Sequence, residues 1–230
     1  MNFQMREAKL IAAAIDHTQL KPGTLMADIN KLCSEAISYG FAAVCVPPLF
    51  VKQAAALLKD QSVKVATVIG FPFGYSAVEA KLAETVLAIV DGADELDIVV
   101  NYTAIKNTDW VFAANEINHL MPVIKNSNKM VKVIIESGNL TNEEIIKCCE
   151  LYAAAGVDFV KTSTGYAETG ATLEAVTLMR KSLPSYVQIK ASGGIRTALF
   201  ASQLLDAGAT RIGCSSGVAI VTGEQAGGTY

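Results

Sequence analysis

The chain is poor in the residues that hold metals and in the patterns that hold nucleic acids. Its 230 residues include two histidines, His17 and His119, far apart in sequence. A catalytic zinc site takes three protein ligands, commonly His or Cys, so metal-dependent chemistry is not expected. The five cysteines, Cys33, Cys45, Cys148, Cys149 and Cys214, form no Cys-x-x-Cys pair. Odd in number and without a secretory signal, they read as reduced thiols. No basic block interleaved with aromatics exists and the net charge is −3, which removes nucleic acid as a partner. No apolar run is long and charge-free enough to cross a bilayer. The opening stretch, "MNFQMREAKLIAAAID", mixes charges into a helical pattern where a signal peptide would carry an apolar core. The expectation is a soluble cytoplasmic protein.

No linker rich in Pro, Gly or Ser divides the chain. Half of it, 51%, is hydrophobic, enough for a large core. Short apolar runs alternate with amphipathic stretches, and eight runs can be counted: 15–18, 42–46, 63–70, 95–100, 131–136, 157–161, 187–191 and 211–214. Helix starts are signed by Ser76 with Glu79 and Thr141 with Glu144, the spacing of a capping box. This alternation predicts an α/β protein, one (β/α)₈ TIM barrel with an N-terminal helix, as a single domain over residues 1–230. An internal repeat agrees. "YGFAAVCV", "DGADELDIV", "AGVDFVKTS" and "AGATRIGCS" each bring a glycine at a helix end into an even-numbered run. Five residues beyond Gly40, Gly92, Gly156 and Gly208 stand Cys45, Asp97, Lys161 and Gly213. Alternate strands of a barrel share interior layers, so these four are expected at one level near the C-terminal mouth.

The seventh run, "YVQIKASGGIR", ends in a second lysine, Lys190. Two ammonium groups about 4 Å apart, at an effective dielectric near 20, repel by roughly 4 kcal/mol. That is enough to bring one amine from about 10.4 toward neutrality. A partly neutral lysine is a nucleophile toward carbonyls and can form a Schiff base, with Asp97 accepting and returning protons directly or through water. The competing reading is an ion network that only ties the barrel together; convergence of three such groups on one mouth favours chemistry. The glycine-rich turns "SGGIRT" (Gly193, Gly194) and "GCSSG" (Gly213, Ser215, Ser216) follow the seventh and eighth runs, where barrels commonly bind phosphate, and Gly165 can join them. Asp16 and Thr18 close the first run and either line the mouth or cap a turn. Cys45 shares the layer of Lys161, though a small buried cysteine is usually core. The histidines and Trp110 read as structural.

"VKTSTG", "KASGGIR", "ADELDIV", "TVIGFPFG" and "DHTQLKP" together resemble the 2-deoxyribose-5-phosphate aldolases, class I aldolases, over nearly the whole chain. The resemblance implies reversible cleavage of 2-deoxy-D-ribose 5-phosphate to acetaldehyde and D-glyceraldehyde 3-phosphate, with neither metal nor organic cofactor, by a homodimer or homotetramer. It implies Lys161 as the Schiff-base lysine, Lys190 as the amine that lowers its pKa and shuttles protons, and Asp97 as general acid/base through a bridging water. It puts the phosphate on Gly165, Gly193, Gly194, Gly213, Ser215 and Ser216, and gives the terminal Tyr230 a part in proton transfer. One departure stands out: some members carry a phosphate-touching lysine directly after "TSTG", and this chain has Tyr166. Another Schiff-base aldolase of the same architecture, or a phosphosugar-binding barrel without catalysis, remains the alternative.

Overall fold

All eight apolar runs form strands. In the computed structural model, which describes residues 3–223, they are β1 Ile15–Thr18, β2 Ala43–Val46, β3 Lys64–Ile69, β4 Glu95–Val99, β5 Met130–Ile134, β6 Phe159–Lys161, β7 Gln188–Ser192 and β8 Arg211–Cys214. Each pairs in parallel with the next, and β8 returns to β1 to close the barrel. Ten α-helices are described: α1 Phe3–Ala12, α2 Met26–Tyr39, α3 Val51–Leu57, α4 Val78–Val90, α5 Tyr102–Lys106, α6 Trp110–Asn126, α7 Asn142–Ala154, α8 Leu173–Ser182, α9 Ala198–Asp206 and α10 Gly217–Thr222. This is a (β/α)₈ TIM barrel with an extra helix at its N-terminus. None of the described helices is long and apolar enough to cross a membrane.

The repeat glycines work as their position requires. Gly40, Gly92, Gly156 and Gly208 follow α2, α4, α7 and α9 with φ of 69°, 103°, 76° and 114°, a region costly for any side chain. Thr141 opens α7 as a capping box: its hydroxyl accepts the Glu144 amide at 3.2 Å, and the Glu144 carboxylate accepts its amide at 2.8 Å. The same expectation for Ser76 and Glu79 fails. Ala77 is the N-cap of α4 and no side chain caps it, so Ser76 falls one residue outside the helix. The register of α4 is set instead by its buried face, Lys81, Thr85 and Ala88.

Packing separates two interiors. Between barrel and helices lies an apolar layer that includes Ile15, Val44, Leu96, Ile98, Val133, Val160, Ile189 and Ile212, each side chain contributing about 1.5–3 kcal/mol by its burial. Inside the barrel, Leu20, Ala43, Cys45, Ala66 and Val68, with Phe71 against them, make one apolar half. The other half is ionic, built from Asp16, Glu95, Asp97, Lys132, Lys161, Lys190 and Arg211. Outside the barrel, fully buried Lys81 donates to the Val99 carbonyl at 2.8 Å and to Glu116 of α6 at 2.7 Å. Glu116 accepts the Asn101 amide at 3.1 Å, and Glu84 accepts that of Gly70 at 2.6 Å. These bonds hold the C-terminal ends of β3 and β4, where the barrel opens.

Candidate active site

Lys161 and Lys190 are direct partners in the β6–β7 register, so their side chains leave the sheet on the same face, toward the barrel axis. Both ammonium nitrogens donate to the same oxygen of Asp97, each at 2.7 Å. Their separation is therefore at most twice that distance. Lys132, from β5, donates to the other Asp97 oxygen at 2.8 Å and pairs with Glu95 at 2.5 Å. Lys190 also pairs closely with Asp16. Arg211 binds Asp16 through Nε at 2.7 Å and Glu95 through Nη2 at 2.9 Å. Asp16 is thus a fully buried member of this network rather than a cap. Gly213 supplies no side chain to its level of the barrel, and the space it leaves is taken by the Lys190 stem: a Cβ there would lie 2.9 Å from Lys190 Cε.

Charge counting says what this half-barrel requires. Asp16, Glu95 and Asp97 face Lys132, Lys161, Lys190 and Arg211; fully ionised, the cluster carries one surplus cation. Burying an uncompensated charge costs several kcal/mol, and releasing one proton removes the surplus. Arginine does not release it. Burial pushes Lys190 and Lys132 down, but Asp16 and Asp97 for the one, Asp97 and Glu95 for the other, outweigh it and hold both above the ordinary lysine value. Lys161 alone is lowered, first by burial and then by Lys190, against the pull of Asp97. The lysine–lysine repulsion expected from the sequence is present, but burial is the larger cause. Asp97 is pushed up by burial and pulled further down by its three lysines, so it stays a carboxylate.

Lys161 is also the amine that can be reached. Lys132 and Lys190 are fully buried, whereas Lys161 lines a cavity of about 90 Å³ at the barrel mouth. Thr18, Gly165, Gly193, Gly194, Gly213, Ser215 and Ser216 line that cavity too, with Thr164, Ser192 and Arg196. The structure thus gathers around Lys161 all six glycines and serines that the sequence offered for phosphate. Cys45 is fully buried in the apolar half, its thiol pushed up by burial. A second cavity, about 270 Å³, opens on the other side of the β6 loop between Phe73, Val99, Val100, Tyr102, Glu136 and Tyr166. Tyr166 lines this one and not the first; its hydroxyl donates to the Leu20 carbonyl at 3.0 Å and its ring meets Phe71 edge-on at 5.4 Å. Tyr230 lies outside the described residues. Among those residues no group of three or more His, Cys, Asp or Glu is arranged to hold a metal ion.

A family model for DeoC/LacD family aldolases matches residues 10–223. The chain belongs to this family. It is 52% identical over 215 residues to deoxyribose-phosphate aldolase of Thermococcus kodakarensis, covering 93% of this chain and 96% of that one. It is 49% identical over 212 residues to the enzyme of the same name from Thermoanaerobacter sp. strain X514, covering 92% and 95%. Among solved structures it resembles the tetrameric deoxyribose phosphate aldolase of Aeropyrum pernix, with a TM-score of 0.88, 30% identity and 95% of each chain covered.

Within this DeoC/LacD aldolase, sequence reasoning passed over Glu95, Lys132 and Arg211. Strand alternation carried a signal for two of them. Glu95 precedes Asp97 by two residues and Arg211 precedes Gly213 by two, so each shares the inward face of a residue already assigned there. Lys132 sits between Val131 and Val133, an inward cation in an apolar strand. Glu136 and Arg196, at the mouth, were also passed over.

Proposed function

We propose that the protein cleaves 2-deoxy-D-ribose 5-phosphate, reversibly, to acetaldehyde and D-glyceraldehyde 3-phosphate through a Schiff base on Lys161. The observation that carries this reading is that, of the three inward lysines, Lys161 is both the one whose pKa is lowered and the one that reaches the mouth cavity. Family membership and the names of the relatives support the substrate.

In this scheme the glycine turns and the serines of the β8 loop hold the phosphate, their amides and hydroxyls facing an anion. Neutral Lys161 attacks C1 of the open-chain sugar, and loss of water gives an iminium ion. That cation is an electron sink, so the C2–C3 bond breaks as the C3 hydroxyl loses its proton through water to Asp97. A carboxylate held between the ammonium groups of Lys132 and Lys190, with the iminium beside it, is a weak base and keeps that proton only in passing. Glyceraldehyde 3-phosphate leaves. The proton that Asp97 took returns through the same water to the enamine carbon, with Lys190, held protonated by Asp16 and Asp97, steadying the carboxylate during the exchange, and hydrolysis frees acetaldehyde. The same reading places the enzyme in the cytoplasm, as a homodimer or, like its Aeropyrum relative, a tetramer.

Borohydride reduction in the presence of acetaldehyde tests the covalent step: a stable ethyl adduct is expected on Lys161. Lys161→Leu should form none and should lose glyceraldehyde 3-phosphate release by at least about 10⁴-fold, with circular dichroism unchanged. An adduct on another residue, or a variant cleaving at the normal rate, would end the proposal.

A further inference from the structure

Two features that a strand end ordinarily avoids meet in Glu136. Its backbone is left-handed, with φ of 53°, where residues other than Gly, Asn and Asp are uncommon. Its carboxylate is buried, 8% exposed, and forms no ion pair among the described residues. Buried carboxylates usually have a cation beside them. Both features serve one neighbour. The carboxylate accepts the Thr164 amide at 3.2 and 3.3 Å through its two oxygens, and the Thr164 hydroxyl through a short third bond.

Thr164 stands three residues after Lys161 and directly before Gly165, and it lines both cavities at the mouth. The turn that contains it is held from two flanks. On the β7 side, Thr162 and Ser192 exchange two bonds, at 3.1 and 3.0 Å, and the Ser192 hydroxyl donates to the Ser163 carbonyl at 2.6 Å. On the β5 side the hold is Glu136. Beyond Thr164, its hydroxyl oxygen accepts the Tyr166 amide at 3.1 Å, and Tyr166 is anchored to Leu20. A continuous strap therefore runs from the β5 loop through the β6 loop to the β1 loop. What the strap fixes is close to the double glycine: a Cβ on Gly193 would lie 3.6 Å from Gly165 Cα and 3.4 Å from Ser163 Cβ. The Thr164–Gly165 turn therefore stands beside Gly193, with no room between them for a side chain larger than a methyl.

We infer that Glu136 is a positioning residue for recognition of the substrate phosphate, acting through Thr164 to set where the Gly165 turn stands against Gly193 and Gly194. The inference rests on the proposed phosphate site; Glu136 feels the charge of Lys161 but makes no hydrogen bond or ion pair with it among the described residues, so its bonded hold is on Thr164 alone. A carboxylate is suited to the task because it accepts from the Thr164 amide and hydroxyl at once and has no donor of its own to redirect them.

The test uses Glu136→Ala, Glu136→Gln and Thr164→Val in the full-length protein, with inorganic phosphate as the probe. Calorimetric titration should show phosphate affinity weakened by about tenfold or more in Glu136→Ala, with only part of it restored in Glu136→Gln, whose amide puts a donor where one carboxylate oxygen accepts. KM for deoxyribose 5-phosphate should rise in parallel, while borohydride trapping of acetaldehyde at Lys161, which needs no phosphate, changes by less than about threefold. Should Glu136→Ala fail to fold, Thr164→Val carries the same expectation, weaker phosphate binding with the barrel intact. Unchanged phosphate affinity in these variants overturns the inference, as does equal loss of trapping and of phosphate binding. If the unaltered protein binds phosphate but does not cleave the sugar phosphate, the proposed function fails while this inference is still decided by the titration. If it binds no phosphate, the inference falls with its site.

Discussion

Lys132→Met tests the account of the neutral amine most directly, because Lys132 neither reaches the mouth cavity nor takes part in the proposed proton path. Lys132 and Lys161 donate to opposite oxygens of one carboxylate, at 2.8 and 2.7 Å, which sets their nitrogens about 6 Å apart; at an effective dielectric near 20, two charges there repel by about 3 kcal/mol. Removing one of them favours the protonated form of the other by up to about a hundredfold. The half-barrel then has three carboxylates for three remaining bases, and holding a proton on Lys161 balances it. The variant should therefore lose activity by becoming better neutralised. Breaking a buried ion pair commonly costs about 3–5 kcal/mol; here the loss in urea unfolding should be smaller, since the vacated positive charge is replaced at Lys161.

The assay is kcat/KM against pH. A lysine that reacts only when neutral gives an acid limb at its pKa, so raising that pKa moves the limb to higher pH. The variant should be about 10- to 100-fold slow near pH 7 and approach the unaltered enzyme in alkaline buffer. Borohydride trapping should follow the same displacement. A limb that stays in place, or a loss of the same size at every pH, would refute the charge-balance argument and leave Lys132 a packing residue.

Gly213→Ala should lower kcat by about 100-fold, because the new methyl lies 2.9 Å from both Lys190 Cε and Ser192 Cβ; an undiminished kcat would show that the Lys190 stem has room to move. Tyr166→Lys releases the side chain from Leu20 and Phe71 and adds a cation beside Gly165, in the turn proposed to hold phosphate. The preference for deoxyribose 5-phosphate over deoxyribose in kcat/KM should rise by about tenfold, and a ratio that does not rise shows that a lysine at this position does not reach the substrate phosphate. Stability should fall in acid. Burial pushes the Asp16 and Asp97 carboxyls up, but Lys190 and Arg211, and Lys132 and Lys161, outweigh it and hold both below the usual range. Their stabilisation is complete above the unfolded value of about 3.9 and is lost as pH drops through the lower folded values. The urea midpoint should decline steeply below about pH 4, and a flat acid profile would sink this expectation.

The strands were legible because a parallel barrel buries them on both faces, leaving near-continuous apolar runs between helices. The shared level of Asp97 and Lys161 was legible because one glycine-to-strand offset recurs in four units. What the sequence concealed was the extent of the ionic half. An apolar barrel lumen is the ordinary expectation, and nothing local to "MVKVI" says that Lys132 turns inward until β5 is registered against β4. Register also decides the cause of the lowered lysine, since the depth of burial is a property of the closed barrel. Ser76 misled for a related reason: the start of α4 follows from Lys81 reaching Glu116 on a helix far along the chain, and a four-residue pattern carries no trace of that bond. The left-handed backbone of Glu136 is likewise invisible in a glutamate.

The two-sided lumen gives the protein a division of labour that an engineer could use. Leu20, Ala43, Cys45, Ala66 and Val68 form a wall with no formal charge, of which Leu20 reaches the mouth cavity, so it can be repacked while the proton inventory opposite stays intact. Any single swap on the charged wall, in contrast, alters whether acids and bases come out even, and with it which amine is left free to react.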